Sequence, residues 1–128
     1  AVLHADTAES FLARHAAAGA EPFDHVLILR SWNHLRDPDA ALAALQRLLK
    51  PGGSLLVVDN VAFGLARTPR QTRGAERGPA VFEHYRNDSA AEVLPRLARA
   101  GLRVEDVVEV APGRSNQWMV RAAASGAY

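Results

Sequence analysis

Two apolar runs that flank an amphipathic segment constrain the fold of this chain more than any other feature. The runs are "FDHVLIL", which begins at Phe23, and "SLLVVD", which ends at Asp59. Between them, Asp37 and Pro38 are typical of a helix start, leucines recur on one face, and "KPGG" ends the helix. Since both runs are apolar at successive positions, we expect two buried parallel strands joined by a right-handed helical crossover.

The amino-terminal part predicts one more strand and one more helix. "AVLHAD" resembles a buried strand that ends in a polar loop. "TAESFLARHAAAG" follows as a short helix that Asp6 or Thr7 caps and Gly19 ends.

The carboxy-terminal part predicts a helix and an antiparallel strand pair. Residues 61–88 form a long polar connection, of the kind that serves as a lid or a binding loop. Ser89 and Glu92 then match a capping box, and Pro95 either kinks the first turns of this helix or moves its start later. "LRVEDVVEV" and "NQWMVRAAA" predict the strand pair, because only a few residues separate them.

Composition excludes several classes of function. The chain has 128 residues, enough for one domain or part of one, and its net charge of +1 with no basic run gives no case for a nucleic-acid partner. The absence of cysteine excludes disulfides and thiolate metal sites, and no histidine–carboxylate spacing predicts a metal. No apolar run reaches the roughly 20 residues of a membrane span and no signal peptide is evident, so no membrane partner and a cytoplasmic location are expected.

Three segments together resemble class I S-adenosylmethionine-dependent methyltransferases of the small-molecule type. They are "FDHVLIL", "LLKPGGSLLVVD" and "ARAGLRVEDVVEV", which are similar to the fourth strand, the fifth strand with its preceding turn, and the last helix with its strand in that family. The resemblance implies a Rossmann-like, mostly parallel sheet with a carboxy-terminal antiparallel pair. It also implies S-adenosylmethionine as cofactor and a small-molecule acceptor.

The chain departs from the family pattern at its amino-terminal end. The Gly-rich loop and the acid that holds the ribose in the family have no counterpart before residue 23. We therefore expect residues 1–128 to form a partial methyltransferase-like domain, truncated at the amino terminus, that starts at the third strand of the family.

The resemblance assigns cofactor contacts to two places. Asp6 would accept a hydrogen bond from the adenine amino group, and Thr7 would offer its backbone N–H to the ring. Leu29, Arg30 and Ser31 follow the fourth strand, at the sheet edge where ligands of open α/β folds bind, and would touch the cofactor.

The same turn is predicted to form a wall of the acceptor site. Trp32 and Asn33 would contact the acceptor, and His34 would act as a base toward its hydroxyl or amine. His84, Tyr85 and Arg86 could fold over the acceptor from the later loop. The alternatives are that His34 caps or packs beside the next helix, that Trp32 fills core, and that these three later residues are only surface loop.

Three functional hypotheses follow. The chain is the acceptor-side part of a methyltransferase, a non-catalytic methyltransferase-like module for partner binding or oligomerisation, or another nucleotide-binding α/β domain. Without two family strands, "AVLHAD" must pair beside the fourth strand, swap into another molecule or stay loose. We therefore expect an exposed sheet edge and a tendency to self-associate.

Overall fold

The fold is a four-stranded mixed sheet with helices packed on it. The computed structural model describes residues 5–61, 85–112 and 116–125. The elements, in chain order, are α1 (Ala8–Ala17), β1 (Phe23–Leu29), a 3₁₀ turn (Trp32–His34), α2 (Pro38–Leu48), β2 (Leu49–Asn60), α3 (Ala90–Arg99), β3 (Leu102–Glu109) and β4 (Gln117–Ala124).

The predicted sheet is confirmed: it begins with a parallel pair and ends with antiparallel ones. The strand order is β1-β2-β4-β3. Strands β1 and β2 are parallel, with Val26 beside Leu55 and Ile28 beside Val57. Strand β4 lies antiparallel to both β2 and β3, which makes β1 an edge strand of the described sheet. Most of "AVLHAD" lies outside the described residues, and Ala5 and Asp6 are not in a strand.

The helix starts follow the capping signals in the sequence. Thr7 caps α1 by accepting the Ser10 N–H at 3.1 Å, and Asp37 caps α2 by accepting the Ala40 N–H at 3.0 Å. The predicted capping box of Ser89 and Glu92 is present in α3, which begins at Ala90 in spite of Pro95 in its interior, so the later start is wrong. No helix in the described ranges is both long and apolar enough to span a bilayer.

The two faces of the sheet differ in burial. Buried side chains of all three helices share one core cluster with four fully buried sheet residues, Leu55, Val57, Val120 and Ala122. The opposite face carries Leu27 and Leu29, which are 59% and 56% exposed, and half-buried Leu56, Val58 and Met119. Because inward and outward side chains alternate along a strand, each strand packs against the core mainly through one of its two faces.

The chain bends tightly at residues 50–53, near the start of β2, and this turn requires glycine at position 53. A Cβ atom there would lie 2.8 Å from the Lys50 carbonyl oxygen and 2.9 Å from the Asp24 carbonyl oxygen. Since both are backbone atoms, Gly53→Ala should lower the free energy of unfolding by about 1–3 kcal/mol in urea denaturation. Pro51→Ala, in the exposed part of the same turn, should cost less than about 1 kcal/mol. Equal losses in the two variants would contradict the steric explanation.

Candidate active site

The carboxyl end of β1 turns sharply into the segment that the sequence marks as a site wall. The Arg30 N–H donates to the Val58 carbonyl on β2 at 2.7 Å, and Arg30 then adopts a φ of +56°. The chain continues into the 3₁₀ turn, which the His34 N–H closes by donating to the Ser31 carbonyl at 3.1 Å. A non-glycine residue at positive φ is uncommon, so the surroundings hold this turn in place.

A buried carboxylate at the end of β2 forms a hydrogen bond with the backbone of the turn. Asp59 is 2% exposed and accepts the Asn33 N–H at 3.0 Å and the Asn60 N–H at 2.8 Å. The Asn33 side-chain amide in turn donates to the Asn60 carbonyl at 3.4 Å. The strand end therefore binds the turn through charge-assisted hydrogen bonds, which are stronger than neutral ones.

A second buried carboxylate, from the segment before α3, forms hydrogen bonds with side chains of the turn. Asp88 accepts the Trp32 indole N–H at 2.9 Å and the Arg86 Nε–H at 3.0 Å. Its backbone N–H donates to the Asn33 side-chain oxygen at 2.9 Å, and its carbonyl accepts the Trp118 indole N–H at 3.0 Å. We call Trp32, Asn33, Asp59, Arg86 and Asp88 the anchoring cluster.

Arg86 completes the anchoring cluster by covering the indole. Its guanidinium donates to the Trp32 carbonyl at 2.6 Å and to the Leu35 carbonyl, and its carbon atom lies 5.7 Å above the Trp32 ring centroid. The Arg86 side chain is 16% exposed and that of Asp88 is 11% exposed, so the ion pair is largely removed from water. Such a pair with additional hydrogen bonds fixes one arrangement of the backbone around it.

Helix α1 is bound to the same region through its first turn. The Glu9 carboxylate accepts the Arg36 N–H at 2.7 Å and the Asp37 N–H at 3.4 Å. Asp6 and Thr7, which precede this turn, are exposed. The Asp6 carboxylate accepts the Thr7 N–H at 2.9 Å and forms an ion pair with Arg14.

The predicted site residues divide into an exposed group and a buried group. Leu29, Arg30, Ser31 and His34 are exposed on the turn, as are Asp6 and Thr7 at the start of α1. Trp32 and Asn33 are 0% and 1% exposed, and their polar atoms bind within the protein. Their contact with an acceptor remains a prediction, whereas the alternative that Trp32 belongs to the core is confirmed.

The later loop is described only from Tyr85 onward. Tyr85 is half-buried, and its N–H donates to the Asn33 carbonyl at 2.9 Å. This bond brings it beside the anchoring cluster, next to the turn. His84 lies outside the described residues, so its predicted role stays a prediction.

An apolar cavity lies beside the turn, between β1 and helices α1 and α2. Its volume is about 320 Å³, and its walls include Ser31, Ala8 at the start of α1, and the apolar side chains Phe11, Val26, Ile28, Leu35 and Leu45. The start of α1 and the end of β1 therefore meet at one concave surface. Concave, mostly apolar surfaces with few polar groups are typical of ligand sites.

The exposed residues fit one end of S-adenosylmethionine. Asp6 offers carboxylate oxygens to an amino group, and Leu29 offers an apolar side chain to a ring. In residues 5–61, 85–112 and 116–125 we find no Gly-rich loop after a strand and no acid assigned to the ribose. The same described residues contain no group of three or more His, Cys, Asp or Glu side chains that could hold a metal ion.

The sequence assigns no role to two of the residues that shape this site. Asp59 is only the end of an apolar strand there, and Asp88 only part of the loop before the next helix. Arg86 is predicted to fold over the acceptor or to lie in a surface loop, and its guanidinium binds the Trp32 and Leu35 carbonyls. A signal for Asp59 was available, because a carboxylate that directly follows a buried strand lies at the ligand edge of a parallel sheet. No sequence pattern links Asp88 to Trp32, since they are far apart in the chain.

Comparisons with known proteins find a family model and several relatives that match this chain. A sequence model of the family described as "Methyltransferase domain" matches residues 2–107. An uncharacterised Escherichia coli protein, YafE, is 33% identical over 102 residues, which are 77% of this chain and 48% of YafE. A ubiquinone biosynthesis O-methyltransferase of Xanthomonas axonopodis pv. citri is 36% identical over 101 residues, 72% of this chain and 40% of that enzyme. The chain thus spans less than half the length of these relatives.

Two solved structures share the fold at low sequence identity. An O-methyltransferase family protein from Burkholderia thailandensis has a TM-score of 0.61 at 16% identity and covers 91% of this chain and 34% of its own. The [4+2]-cyclase SpnF has a TM-score of 0.61 at 18% identity and covers 84% of this chain and 51% of its own. With the family match over most of the sequence, these findings favour the resemblance over any other nucleotide-binding fold. The chain belongs to the class I S-adenosylmethionine-dependent methyltransferases.

Proposed function

We propose that the chain is the part of a methyltransferase that holds the adenine end of S-adenosylmethionine and forms one wall of a small-molecule acceptor site. The observation that carries this proposal is the turn at the end of β1. Exposed Arg30, Ser31 and His34 stand on a turn that two buried carboxylates hold, beside the start of α1. Preorganised turns of this kind lower the entropic cost of bringing two reactants together.

In this proposal, each exposed residue has a defined contact. Asp6 accepts the adenine amino group, Thr7 offers its backbone N–H to the ring, and the Leu29–Ser31 segment lies against the cofactor. For Thr7 this requires its N–H to leave the Asp6 carboxylate, which it contacts at 2.9 Å. The two contacts can exchange at little cost because both groups are exposed.

The chemistry that we propose is methylation of a hydroxyl group. When bound, S-adenosylmethionine supplies an electrophilic methyl group on a sulfonium. His34, exposed at the end of the turn, takes the proton that the acceptor hydroxyl loses. The name of the Xanthomonas relative, an O-methyltransferase, supports oxygen as the methylated atom.

The buried residues Trp32 and Asn33 act in this proposal through the turn they support. Both residues are buried, and their hydrogen bonds fix the backbone from which Ser31 and His34 project. Tyr85, bound through its N–H to Asn33, contributes the side of the acceptor wall next to the turn, and His84 is proposed to extend that wall.

Cofactor binding is the test of this proposal. Titration calorimetry of the chain with S-adenosylmethionine should show binding, and Asp6→Ala should weaken it about tenfold or more, because a hydrogen bond to a charged group is lost. Glu21→Ala removes an exposed carboxylate outside the site and should leave the affinity unchanged. No heat of binding, or equal affinity of the Asp6→Ala variant and the parent, would contradict the assignment.

A second candidate function is self-association as a methyltransferase-like module. The observation that favours it is the edge position of β1 in the described sheet, together with the exposure of Leu27 and Leu29. Unpaired edge strands are templates for pairing with another chain. The cyclase SpnF, which shares the fold, illustrates that this architecture also occurs in a protein named for another reaction.

A further inference from the structure

We propose that Glu9 is a positioning residue for cofactor binding. Its carboxylate ties the start of α1 to the start of α2 and so fixes where Asp6 and Thr7 stand relative to the turn after β1. This inference rests on the proposed function, because Asp6 and Thr7 are the residues proposed to contact adenine. It adds a residue that touches neither cofactor nor acceptor and acts through the helix that carries these contacts.

Helix α2 has only half of a capping box in its own sequence. In a capping box, the side chain of the capping residue accepts an N–H inside the helix, and a Glu or Gln three positions later accepts the N–H of the capping residue. Asp37 makes the first of these bonds, with the Ala40 N–H at 3.0 Å. Ala40 occupies the position of the Glu or Gln, and its methyl group cannot accept a hydrogen bond.

Glu9 of α1 supplies the missing acceptor from outside α2. One oxygen of its carboxylate accepts the Asp37 N–H at 3.4 Å, which is the N–H that a capping box would bind, and also the Arg36 N–H at 2.7 Å. Helix α3 has the ordinary arrangement, because there Glu92 of the same helix accepts the Ser89 N–H at 2.9 Å. The cap of α2 therefore depends on a neighbouring helix, and the two helix starts are joined at this carboxylate.

Hydrogen bonds continue from Glu9 to the proposed adenine contacts. Glu9 lies in the first turn of α1, two positions after Thr7, which caps the helix by accepting the Ser10 N–H at 3.1 Å. The Thr7 carbonyl also accepts the Phe11 N–H at 3.0 Å. Because Asp6 directly precedes Thr7, a movement of the first turn of α1 would displace both adenine contacts.

Hydrogen bonds also continue from Arg36 to the turn after β1. The preceding residue, Leu35, donates its N–H to the Trp32 carbonyl at 3.1 Å, and its own carbonyl accepts from the Arg86 guanidinium. Trp32 and Arg86 both belong to the anchoring cluster. One carboxylate thus links α1 to the anchoring cluster, so the adenine contacts and the turn keep a fixed spacing. Contacts that are already in place spare a ligand the entropic cost of ordering them.

The preference of the chain for adenosine over inosine tests this role. Inosine has a carbonyl group in place of the amino group from which Asp6 is proposed to accept. In NMR titrations, the parent should bind adenosine about tenfold more tightly than inosine, or better. Glu9→Ala should reduce this preference about threefold or more, because Asp6 is no longer held in place. Glu9→Gln keeps an acceptor oxygen and should retain the preference, whereas a purely structural residue would affect both nucleosides alike.

A second substitution separates helix capping from positioning. Ala40→Glu gives α2 an acceptor of its own and, when added to Glu9→Ala, should recover the free energy of unfolding that Glu9→Ala loses in urea denaturation. It does not rejoin α1 to α2, so the adenosine preference should stay low. Recovery of the preference together with the stability would mean that Glu9 only caps α2, and would overturn the proposal.

Glu21→Ala is the matched control for loss of a carboxylate. Glu21 is exposed and lies outside both helices, so this variant should keep the preference of the parent. If Asp6→Ala lowers the preference and Glu9→Ala does not, positioning by Glu9 is wrong while the proposed function stands. A parent without any preference for adenosine would overturn both.

Discussion

Replacement of Asp88 by alanine should lower the free energy of unfolding by about 3–5 kcal/mol. The change removes one partner of a largely buried ion pair and leaves the Arg86 guanidinium, 16% exposed, without its carboxylate. It also leaves the Trp32 indole N–H without an acceptor. Urea denaturation followed by circular dichroism measures the loss, provided that the m-value is unchanged.

Two further variants make this prediction specific. Asp88→Asn keeps an oxygen acceptor but removes the charge, so we expect a smaller loss, about 1–3 kcal/mol. Asp106→Ala removes an exposed carboxylate of β3 and should change the stability by less than about 0.5 kcal/mol. If Asp88→Ala cost no more than Asp106→Ala, the anchoring cluster would not stabilise the fold.

Replacement of Trp32 by alanine should have an effect of similar size, about 3–5 kcal/mol. The side chain is 0% exposed and belongs to the core cluster, so its removal leaves a large cavity as well as an unpaired Asp88 oxygen. Trp32→Phe fills most of the space but cannot donate the hydrogen bond, and we expect it to cost about 1–3 kcal/mol.

The Trp32→Phe variant also allows a direct measurement of the hydrogen bond. It leaves Trp118, itself buried, as the single tryptophan of the chain, so fluorescence follows unfolding through one probe. Combined with Asp88→Asn, it forms a double-mutant cycle in which neighbouring groups should couple by about 0.5–3 kcal/mol. Additive losses would mean that the indole and the carboxylate do not act together.

These effects connect stability to the proposed function. The anchoring cluster fixes the turn that carries Ser31 and His34. A variant that loosens the cluster should therefore also weaken cofactor binding at the turn. Loss of affinity in Trp32→Phe without loss in Glu21→Ala would support this connection. The reason is that a flexible turn must be ordered at the moment of binding.

Local patterns predicted the elements of this fold well. The capping residues Thr7, Asp37 and Ser89 each begin a helix, because their side chains satisfy N–H groups that the helix itself leaves free. The apolar runs at 23–29 and 54–59 form parallel strands, as runs that are apolar at successive positions tend to do. These features depend on residues a few positions apart and are readable in order along the chain.

The sequence misled where the apolar run at 23–29 was taken to be covered on both faces. Leu27 and Leu29 belong to such a run, yet both are more than half exposed. Burial depends on which layers pack on the sheet, and the run itself carries no information about them.

By itself, the sequence determined the helices, the strands, the parallel crossover and the position of the turn at the end of β1. Only the tertiary structure decided that the Trp32 and Asn33 side chains of that turn are buried and that Asp59 and Asp88 bind the turn. The physical reason is that hydrogen-bond partners such as Trp32 and Asp88, 56 positions apart, meet only after the sheet and α3 have packed. Nothing in the local sequence of either residue specifies the other.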